Sequence, residues 1–338
     1  MDLPLIPDVA VKQVIDSTKA FKEYVRVRNE LKALGGSVRW KNVDGYEYLV
    51  QSERHKLVYL GKRTAETERR HEEHSKKHKR LKERFKSLTE VVETSQRMNK
   101  AVRAGTAPTE LIEVLLKLDE LGLAERSVLL GASALYAYGQ ASGLCVEQIK
   151  TPVRRESVVA EAARCVHVLI EEPDSFASTS FHRLAEAMEK VACVDRAAVK
   201  RGNGTALDIV FHLLKNSKAK SISARTRHLP APTLERPAEP WVDVIKASPK
   251  YEQVIIGKTG KMALMRTIDP CLFTAIFKWS SQQEPASPAT QELLSSQIKL
   301  VETMLDEHMV NSKIAPAQRD LLAKQMIAPR AHSETSDH

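Results

Sequence analysis

The sequence contains few aromatic residues, few cysteines and no long apolar run, and each of these absences excludes a class of protein. Aromatic residues make up 5% of the chain, so the core should consist mainly of Leu, Val, Ile and Ala. No apolar run approaches the roughly 20 residues that span a bilayer, and the N-terminus shows no basic region followed by an apolar one. We therefore predict a cytoplasmic protein that does not associate with membranes. The cysteines are widely spaced and form no CxxC pair, which favours reduced thiols over a disulfide framework. They are Cys145, Cys165, Cys193 and Cys271.

The chain is long and basic. Its 338 residues exceed what one domain usually needs, so two or three units are expected. The net charge of +9 and the pI of about 9.3 favour anionic partners, such as nucleotides or nucleic acid.

The first hundred residues predict a helix, a small sheet and a second helix. Apolar residues recur at helical spacing over residues 8–34, and Gly35-Gly36 then ends the helix. Residues 37–60 alternate in three short runs, with turn residues at Asn42–Gly45, which predicts a three-stranded antiparallel meander. From Thr64 to about Arg103 neither proline nor glycine interrupts a long helix, and Thr64 is suited to cap it.

This second helix is dense in positive charge. One interpretation is a solvated helix that packs through its C-terminal half, and another is an arm whose cations neutralise successive phosphates of a nucleic acid. A protein partner could also bind this helix. The candidate phosphate contacts are Lys76, Lys77, Lys79, Arg80, Lys82 and Arg84.

A strand followed by a turn of small residues lies in the middle of the chain. Residues 127–130 form the strand, and the next three residues, Gly131, Ala132 and Ser133, lead into a helix. Small residues at such a turn let a phosphate approach the backbone N–H groups of a helix N-terminus. An ordinary strand-to-helix turn has the same appearance, so both interpretations stay open.

The stretch from Leu130 to Tyr138, followed by Ser142-Gly143, resembles the glycine motif of a bacterial family of nucleotidyltransferase-fold proteins in the polymerase-beta-like superfamily. Further landmarks that resemble this family occur in the same order between about residues 20 and 305. The resemblance implies a mixed α/β or α+β fold. We expect a nucleotidyltransferase-like mixed sheet flanked by helices, preceded by the small antiparallel sheet and the basic helix, and followed by helices.

The landmarks also predict the domain boundaries. The first part, residues 1–63, holds the N-terminal helix and small sheet, and the long basic helix occupies 64–104. The nucleotidyltransferase-like domain is predicted at 105–268 and a helical region at 269–328. A polar, disordered tail is expected at 329–338.

Polymerase-like nucleotidyltransferases hold divalent cations with three carboxylates. Two of these stand two residues apart on one strand, and the third is on a neighbouring strand. In the matching strand, residues 164–170, Cys165 and His167 stand where the resemblance implies two aspartates. The third position keeps its acid, Asp208, which is the predicted metal ligand. Thiol and neutral imidazole are poor ligands for Mg²⁺.

Three interpretations of this site compete. The first is a degenerate fold that binds without catalysis. The second places the strand in another register, with activity retained through other acids. The third is a Zn²⁺ site formed by Cys165, His167 and Asp208, with His212 as a further candidate ligand, since zinc accepts all these ligand types.

The C-terminal half offers further candidates for phosphate contacts. A basic loop is predicted after the strand of Asp208, and the prolines between residues 229 and 240 predict an extended connection. The resemblance implies that Lys278 faces nucleotide phosphates, although a plain surface lysine fits equally well. Gln291-Glu292 stands where the family carries an Arg-Asp pair. The candidate contacts of the basic loop are Lys218, Lys220, Arg225 and Arg227.

Together these features predict a nucleotidyltransferase-fold protein that binds nucleotide or nucleic acid but has lost efficient transfer. The alternative is an active, toxin-like enzyme that uses Mg²⁺ to modify RNA, protein or a small molecule. A purely structural subunit, with the long helix as its partner surface, is the third hypothesis.

Overall fold

The computed structural model describes residues 3–53, 56–159, 165–171, 208–215, 220–225, 233–237, 240–283 and 287–307. The chain forms two compact units. The N-terminal unit is Lys12–Val102, and the core unit combines Met1–Val11 with Arg103–His338. The predicted tail, 329–338, lies outside the described residues, and the predicted five-part division stays a prediction.

Two long helices form the frame of the N-terminal unit. They are α1 (Asp8–Leu34) and α2 (Ala65–Ala101). Val27, Leu81 and Leu88 are buried together, and the rings of Tyr24 and Phe85 stack with their centroids 5.1 Å apart. A buried hydrogen bond joins the same two helices near the C-terminal end of α2. In it, Ser17 Oγ donates to Asn99 Oδ1 at 2.7 Å.

The meander predicted between these helices is confirmed. It consists of β1 (Val38–Val43), β2 (Tyr46–Glu53) and β3 (Lys56–Lys62), paired antiparallel in that order. Asp44 and Gly45 have positive φ angles of 52° and 81°, which a two-residue hairpin with the right-handed strand twist requires. Local turn chemistry therefore sets the register of the first hairpin.

Helix α2 begins where the sequence places its cap. The Thr64 hydroxyl accepts from the Thr67 amide at 3.3 Å, and the Thr64 amide donates to Thr67 Oγ1 at 2.8 Å. These two bonds satisfy backbone donors that a bare helix end leaves unpaired. Because no residue breaks the ladder, the helix continues for 37 residues.

The core unit is built on a mixed sheet with helices around it. Its strands follow the order β8-β7-β6-β5-β4-β10-β9, in which β5–β6 and β4–β10 pair parallel and the other neighbours antiparallel. The α+β fold expected from the resemblance is therefore confirmed. The elements are α3 (Thr109–Glu120), β4 (Ser127–Leu130), α4 (Ala134–Ser142), β5 (Cys165–Glu171), β6 (Asp208–Lys215), β7 (Lys220–Arg225), β8 (Thr233–Pro237), α5 (Pro240–Ala247), β9 (Lys250–Ile256), β10 (Met262–Ile268), α6 (Pro270–Gln283) and α7 (Pro288–Glu307).

One part of the sequence prediction is wrong. The segment taken as a basic loop contains strand β7, which pairs with β6 along its whole length. The proline-rich connection contains β8, the last strand at this edge of the sheet. An edge strand tolerates proline because one side of its backbone forms no ladder, and Pro237 stands at the end of β8. Lys218 and Arg227 lie outside the described residues.

The core lies between the sheet and its helices. Leu111, Ile112 and Leu118 present the apolar face of α3, and the Tyr138 side chain of α4 is fully buried. The Tyr138 hydroxyl donates to the Ile268 carbonyl at 2.7 Å, so its one polar group is satisfied inside the core. Among the described residues, no helix has the length and apolar character that crossing a membrane requires.

Candidate nucleotide site

The turn between β4 and α4 has the backbone shape that the sequence suggested. Gly131 has a φ of 70°, and residues Gly131–Ser133 form a short 3₁₀ turn before α4 begins. Ser133 is 1% exposed, and its hydroxyl has no hydrogen-bond partner among the described residues. Buried hydroxyls normally have a partner, so this polar atom beside a helix N-terminus is unusual.

Strand β5 brings two chemical groups next to this turn. In the antiparallel pairing of β4 with β5, His167 stands opposite Leu130, the residue before Gly131. His167 Cδ2 lies 3.8 Å from the point where a side chain on Gly131 would begin. The Cys165 sulfur lies 3.5 Å from His167 Nε2 on the same face of the strand. The turn, the thiol and the imidazole are therefore neighbours in the structure.

The two faces of β5 differ in exposure. Val166 and Val168 are fully buried, whereas Cys165 and His167 are only half-buried. The face that carries the thiol and the imidazole is therefore the face that solvent, or a ligand, can reach.

The pairing of β5 with β6 places the backbone of Asp208 beside that of Cys165. Strand β6 pairs parallel to β5, with Asp208 opposite Cys165 and Val210 opposite His167. Residues opposite each other in a ladder share a face of the sheet, so the backbone positions of Asp208 and Cys165 share one. The assignment of Cys165 and His167 to the positions of the two aspartates stays a prediction.

This donor set fits Mg²⁺ poorly. The two described side chains are a thiol and an imidazole, whereas Mg²⁺ prefers oxygen ligands in octahedral geometry. Among the described side chains, no group of three His, Cys, Asp or Glu residues could hold a metal ion. Of Asp208 only the backbone is described.

A comparison with protein families identifies the family of the core unit. Residues 109–323 match the pattern of a family described as nucleotidyltransferase, well over half of the chain. The chain belongs to this nucleotidyltransferase family. The match includes the Gly131 turn, β5 and β6, but none of the N-terminal unit. Neither a curated protein nor a solved structure matches the chain.

Lys278, which the resemblance to nucleotidyltransferases suggested as a phosphate ligand, forms an ion pair. Its ammonium lies 2.6 Å from the Glu302 carboxylate and links α6 to α7. A role in phosphate binding stays a prediction, and it would require this pair to open.

The cations of β7 occupy opposite ends of the strand. Arg225 stands opposite Val210, two residues from Asp208, whereas Lys220 stands opposite Lys215 at the far end of β6. Lys215 is seven positions after Asp208 along the strand, which corresponds to a distance of roughly 23 Å. Register therefore favours Arg225 over Lys220 as a group near the nucleotidyltransferase site.

The six candidate cations of α2 are all exposed, but they do not form one stripe. At about 100° per residue, Lys82 points away from the arc that Lys76, Lys77, Arg80 and Arg84 share. Acids are interleaved with them. Lys76 pairs with Glu72 at 2.6 Å, and Arg84 lies 3.8 Å from Glu23. Carboxylates of the N-terminal unit therefore neutralise part of the positive charge of α2.

The sequence analysis missed a loop that α7 holds in place. The Glu292 carboxylate accepts from the Val153 amide at 2.7 Å and from the Arg154 amide at 3.2 Å. These bonds, the first of them above all, hold the pKa of Glu292 below its usual value. The loop borders a groove of about 660 Å³ whose basic residues are Lys150, Arg155 and Lys299. Glu292 stands out in the sequence as a departure from the family pattern, but nothing there pairs it with the basic turn Pro152–Arg155.

Proposed function

We propose that this nucleotidyltransferase-family protein binds a nucleotide beside the Gly131 turn and does not transfer nucleotidyl groups efficiently with Mg²⁺. The observation that carries this proposal is the contact of 3.5 Å between the Cys165 sulfur and His167 Nε2. These side chains occupy the strand positions where a two-metal mechanism needs oxygen ligands to hold the cations. One acid position, Asp208, supplies too little negative charge for two divalent ions.

Three observations support retained nucleotide binding. The Gly131 turn leads into α4, whose N-terminal amides carry partial positive charge suited to a phosphate. The buried Ser133 hydroxyl has no partner within the described structure. Arg225 stands on β7 near the Asp208 end of β6. A phosphate at the turn would meet the Gly131 backbone first, because Ala132 and Ser133 are buried.

A two-part assay tests the proposal on the full chain. The first part measures binding of each nucleoside triphosphate by calorimetry. The second incubates labelled triphosphates with Mg²⁺ or Mn²⁺ and with RNA, protein or small-molecule acceptors. We expect binding without label transfer above background. Robust transfer that Asp208→Ala abolishes would instead support the active, toxin-like enzyme, and absence of any nucleotide binding would contradict the binding half.

A variant that restores the acids sharpens this test. Cys165→Asp/His167→Asp places two carboxylates on the half-buried face of β5, opposite Asp208. We expect the variant to bind Mn²⁺ more tightly than wild type, since hard cations prefer carboxylates. Cys165→Asn/His167→Asn is the matched control, because asparagine has the size of aspartate without its charge. Equal Mn²⁺ affinity in the acid variant and wild type would contradict the assignment of these positions.

A second candidate function is a soft-metal site at the same residues. Zinc holds sulfur at about 2.3 Å and nitrogen at about 2.0–2.1 Å, which places two tetrahedral ligands about 3.6 Å apart. The separation observed between Cys165 and His167 is 3.5 Å. Asp208, opposite Cys165 in register, is the proposed third ligand.

Cobalt substitution distinguishes this candidate from a simple thiol–imidazole hydrogen bond. Co²⁺ bound to a thiolate gives a charge-transfer absorption that needs no nucleotide and no activity. We expect this band in wild type and in Cys145→Ala, which changes a buried cysteine elsewhere in the core unit. It should disappear in Cys165→Ala and weaken in His167→Ala and Asp208→Asn. A band of equal strength in Cys165→Ala excludes the site.

A further inference from the structure

One face of the small antiparallel sheet carries three tyrosines and two lysines. Strand pairing places Lys41 opposite Tyr48, Tyr48 opposite Lys62, and Tyr59 opposite Val50 on this face. Tyr46, two residues before Tyr48 on β2, points to the same side. We call the set Lys41, Tyr46, Tyr48, Tyr59 and Lys62 the tyrosine face.

Helix α2 packs on the other face of this sheet. Trp40, which alternates with Lys41, has its ring centroid 5.5 Å from that of His71 on α2. Gln51 Nε2, on the same side as Trp40, lies 3.4 Å from His74 Nε2. The sheet therefore buries its Trp40 side within the N-terminal unit, and this helix does not cover the tyrosine face.

The rings on the tyrosine face are unusually exposed for residues of their size. Tyr46 is 58% exposed and Tyr59 is 50% exposed. Tyr48 and Tyr59 meet edge to face with their centroids 6.0 Å apart, which fixes the rings relative to each other. Burial of aromatic rings is favourable, so a cluster of exposed rings marks a surface that a ligand could cover.

The charge of this face has one sign. Lys62 Nζ lies 4.2 Å from the Tyr46 ring centroid, and Lys41 Nζ donates to the Tyr59 hydroxyl at 2.9 Å. Within the described residues neither ammonium forms an ion pair with a carboxylate. Arg39, which stands opposite Val50 and is exposed, adds a third cation to the same side. No acid occupies any paired position on this side of the three strands.

We propose that the tyrosine face binds single-stranded nucleic acid. Rings on a sheet stack unpaired bases, two or three of them in common RNA-binding modules, and neighbouring lysines meet the phosphates. A duplex keeps its bases stacked inside the helix, where rings on a flat sheet cannot reach them. The proposal goes beyond the function proposed above, because it concerns the N-terminal unit, outside the family match at 109–323.

Fluorescence anisotropy with the full chain tests this proposal. The probe is a labelled single strand of about twelve nucleotides, as RNA or DNA, and the competitor is the same sequence as a duplex. The variant Tyr46→Ala/Tyr59→Ala should weaken binding at least about tenfold, because each lost stacking contact contributes severalfold. The matched control Tyr46→Phe/Tyr59→Phe keeps both rings and should bind within about twofold of wild type.

A charge variant provides a second measurement in case the alanine variant is misfolded. The affinity of Lys41→Gln/Lys62→Gln should depend less steeply on salt than that of wild type. The slope of log affinity against log salt should be shallower by about 1.4, since each phosphate contact on a single strand contributes about 0.7. Lys79→Gln/Lys82→Gln changes two cations of α2 and serves as the matched charge control.

The outcomes separate this proposal from the proposed function. If Tyr46→Ala/Tyr59→Ala binds as wild type does, or if the duplex competes better than the single strand, the tyrosine face is not the site. Loss of affinity confined to the α2 variant would move nucleic-acid binding to that helix and overturn the tyrosine face. Nucleotide binding at the Gly131 turn is measured separately with triphosphates, so either proposal can be refuted without refuting the other.

Discussion

Two glycines at the ends of α4 offer a matched test of the nucleotide site. Gly131 precedes the helix with a φ of 70°, and Gly143 follows it with a φ of 72°. Among the described residues, a methyl group at Gly131 would have His167 Cδ2 as its nearest neighbour at 3.8 Å, and one at Gly143 would meet nothing within 4 Å. Alanine therefore fits in space at both positions, and the cost arises from the backbone alone.

The expected loss of stability is equal for the two variants. A left-handed conformation costs an L-residue roughly 1–2 kcal/mol, and the stiffer unfolded chain of alanine offsets about 0.4–1 kcal/mol of that. Gly131→Ala and Gly143→Ala should therefore each lose about 1 kcal/mol, which lowers Tm by about 2–4 °C in a unit of this size. Asparagine tolerates this conformation better, so Gly131→Asn should lose less.

Nucleotide affinity should distinguish the two variants. A methyl group on Gly131 stands where a phosphate would approach the turn, so Gly131→Ala should weaken triphosphate binding at least about tenfold, or about 1.4 kcal/mol. Gly143→Ala should bind as wild type does, because it changes only the far end of α4. Calorimetric titration of both proteins, checked by thermal unfolding, measures this difference. Equal affinities in the two variants would refute the placement of the nucleotide at the Gly131 turn.

Three further predictions concern buried or partly buried polar contacts. Tyr138→Phe removes the hydrogen bond to the Ile268 carbonyl, so urea unfolding should show a loss of about 1–3 kcal/mol. Asn99→Ala leaves the buried Ser17 hydroxyl without its acceptor and should cost about 1–3 kcal/mol in the same measurement, whereas an unchanged midpoint would show that water replaces the bond. The pKa of Glu292 is depressed mainly by the Val153 amide, so its support of the 150–157 loop is complete above its ordinary pKa of 4.5 and is lost as pH falls through the lower folded value. Hydrogen exchange at Val153 and Arg154 should accelerate, relative to unbonded amides, only below that pH, and Glu292→Gln should remove the pH dependence.

Local signals explain why much of the fold follows from sequence. Gly35 ends α1, Asp44-Gly45 sets the first hairpin, and Thr64 caps α2, and each acts within a few residues of its own position. The Gly131 turn and the alternation of β5 are local in the same sense. The contact between Cys165 and His167 was therefore predictable, because strand geometry alone places both on one face.

Long-range pairing explains what the sequence did not predict. Strands β7 and β8 carry lysines, arginines and prolines that are typical of loops, and they form strands because β6 offers a free edge. The hydrogen bond from the Val153 amide to Glu292 joins residues 139 positions apart, and no local sequence pattern predicts it. The tyrosine face likewise depends on register, since the β-bulge between Leu49 and Val50 brings Tyr59 to the same side as Tyr48.

The side chains on the two faces of β5 differ in how much they contribute to stability. Val166 and Val168 are fully buried, and each contributes about 1.5–3 kcal/mol through burial of its side chain. Cys165 and His167 are half-buried and contribute less, so stability constrains their identity less than it constrains that of the two valines. A chain can therefore keep the nucleotidyltransferase fold while the side chains on the half-buried face of β5 differ. The prediction is that Cys165→Asp/His167→Asp unfolds within about 1 kcal/mol of wild type, whereas Val166→Ala/Val168→Ala loses several kcal/mol. If the acid variant proved as unstable as the alanine variant, the thiol and imidazole would be part of the core, and their position could not be assigned to a site.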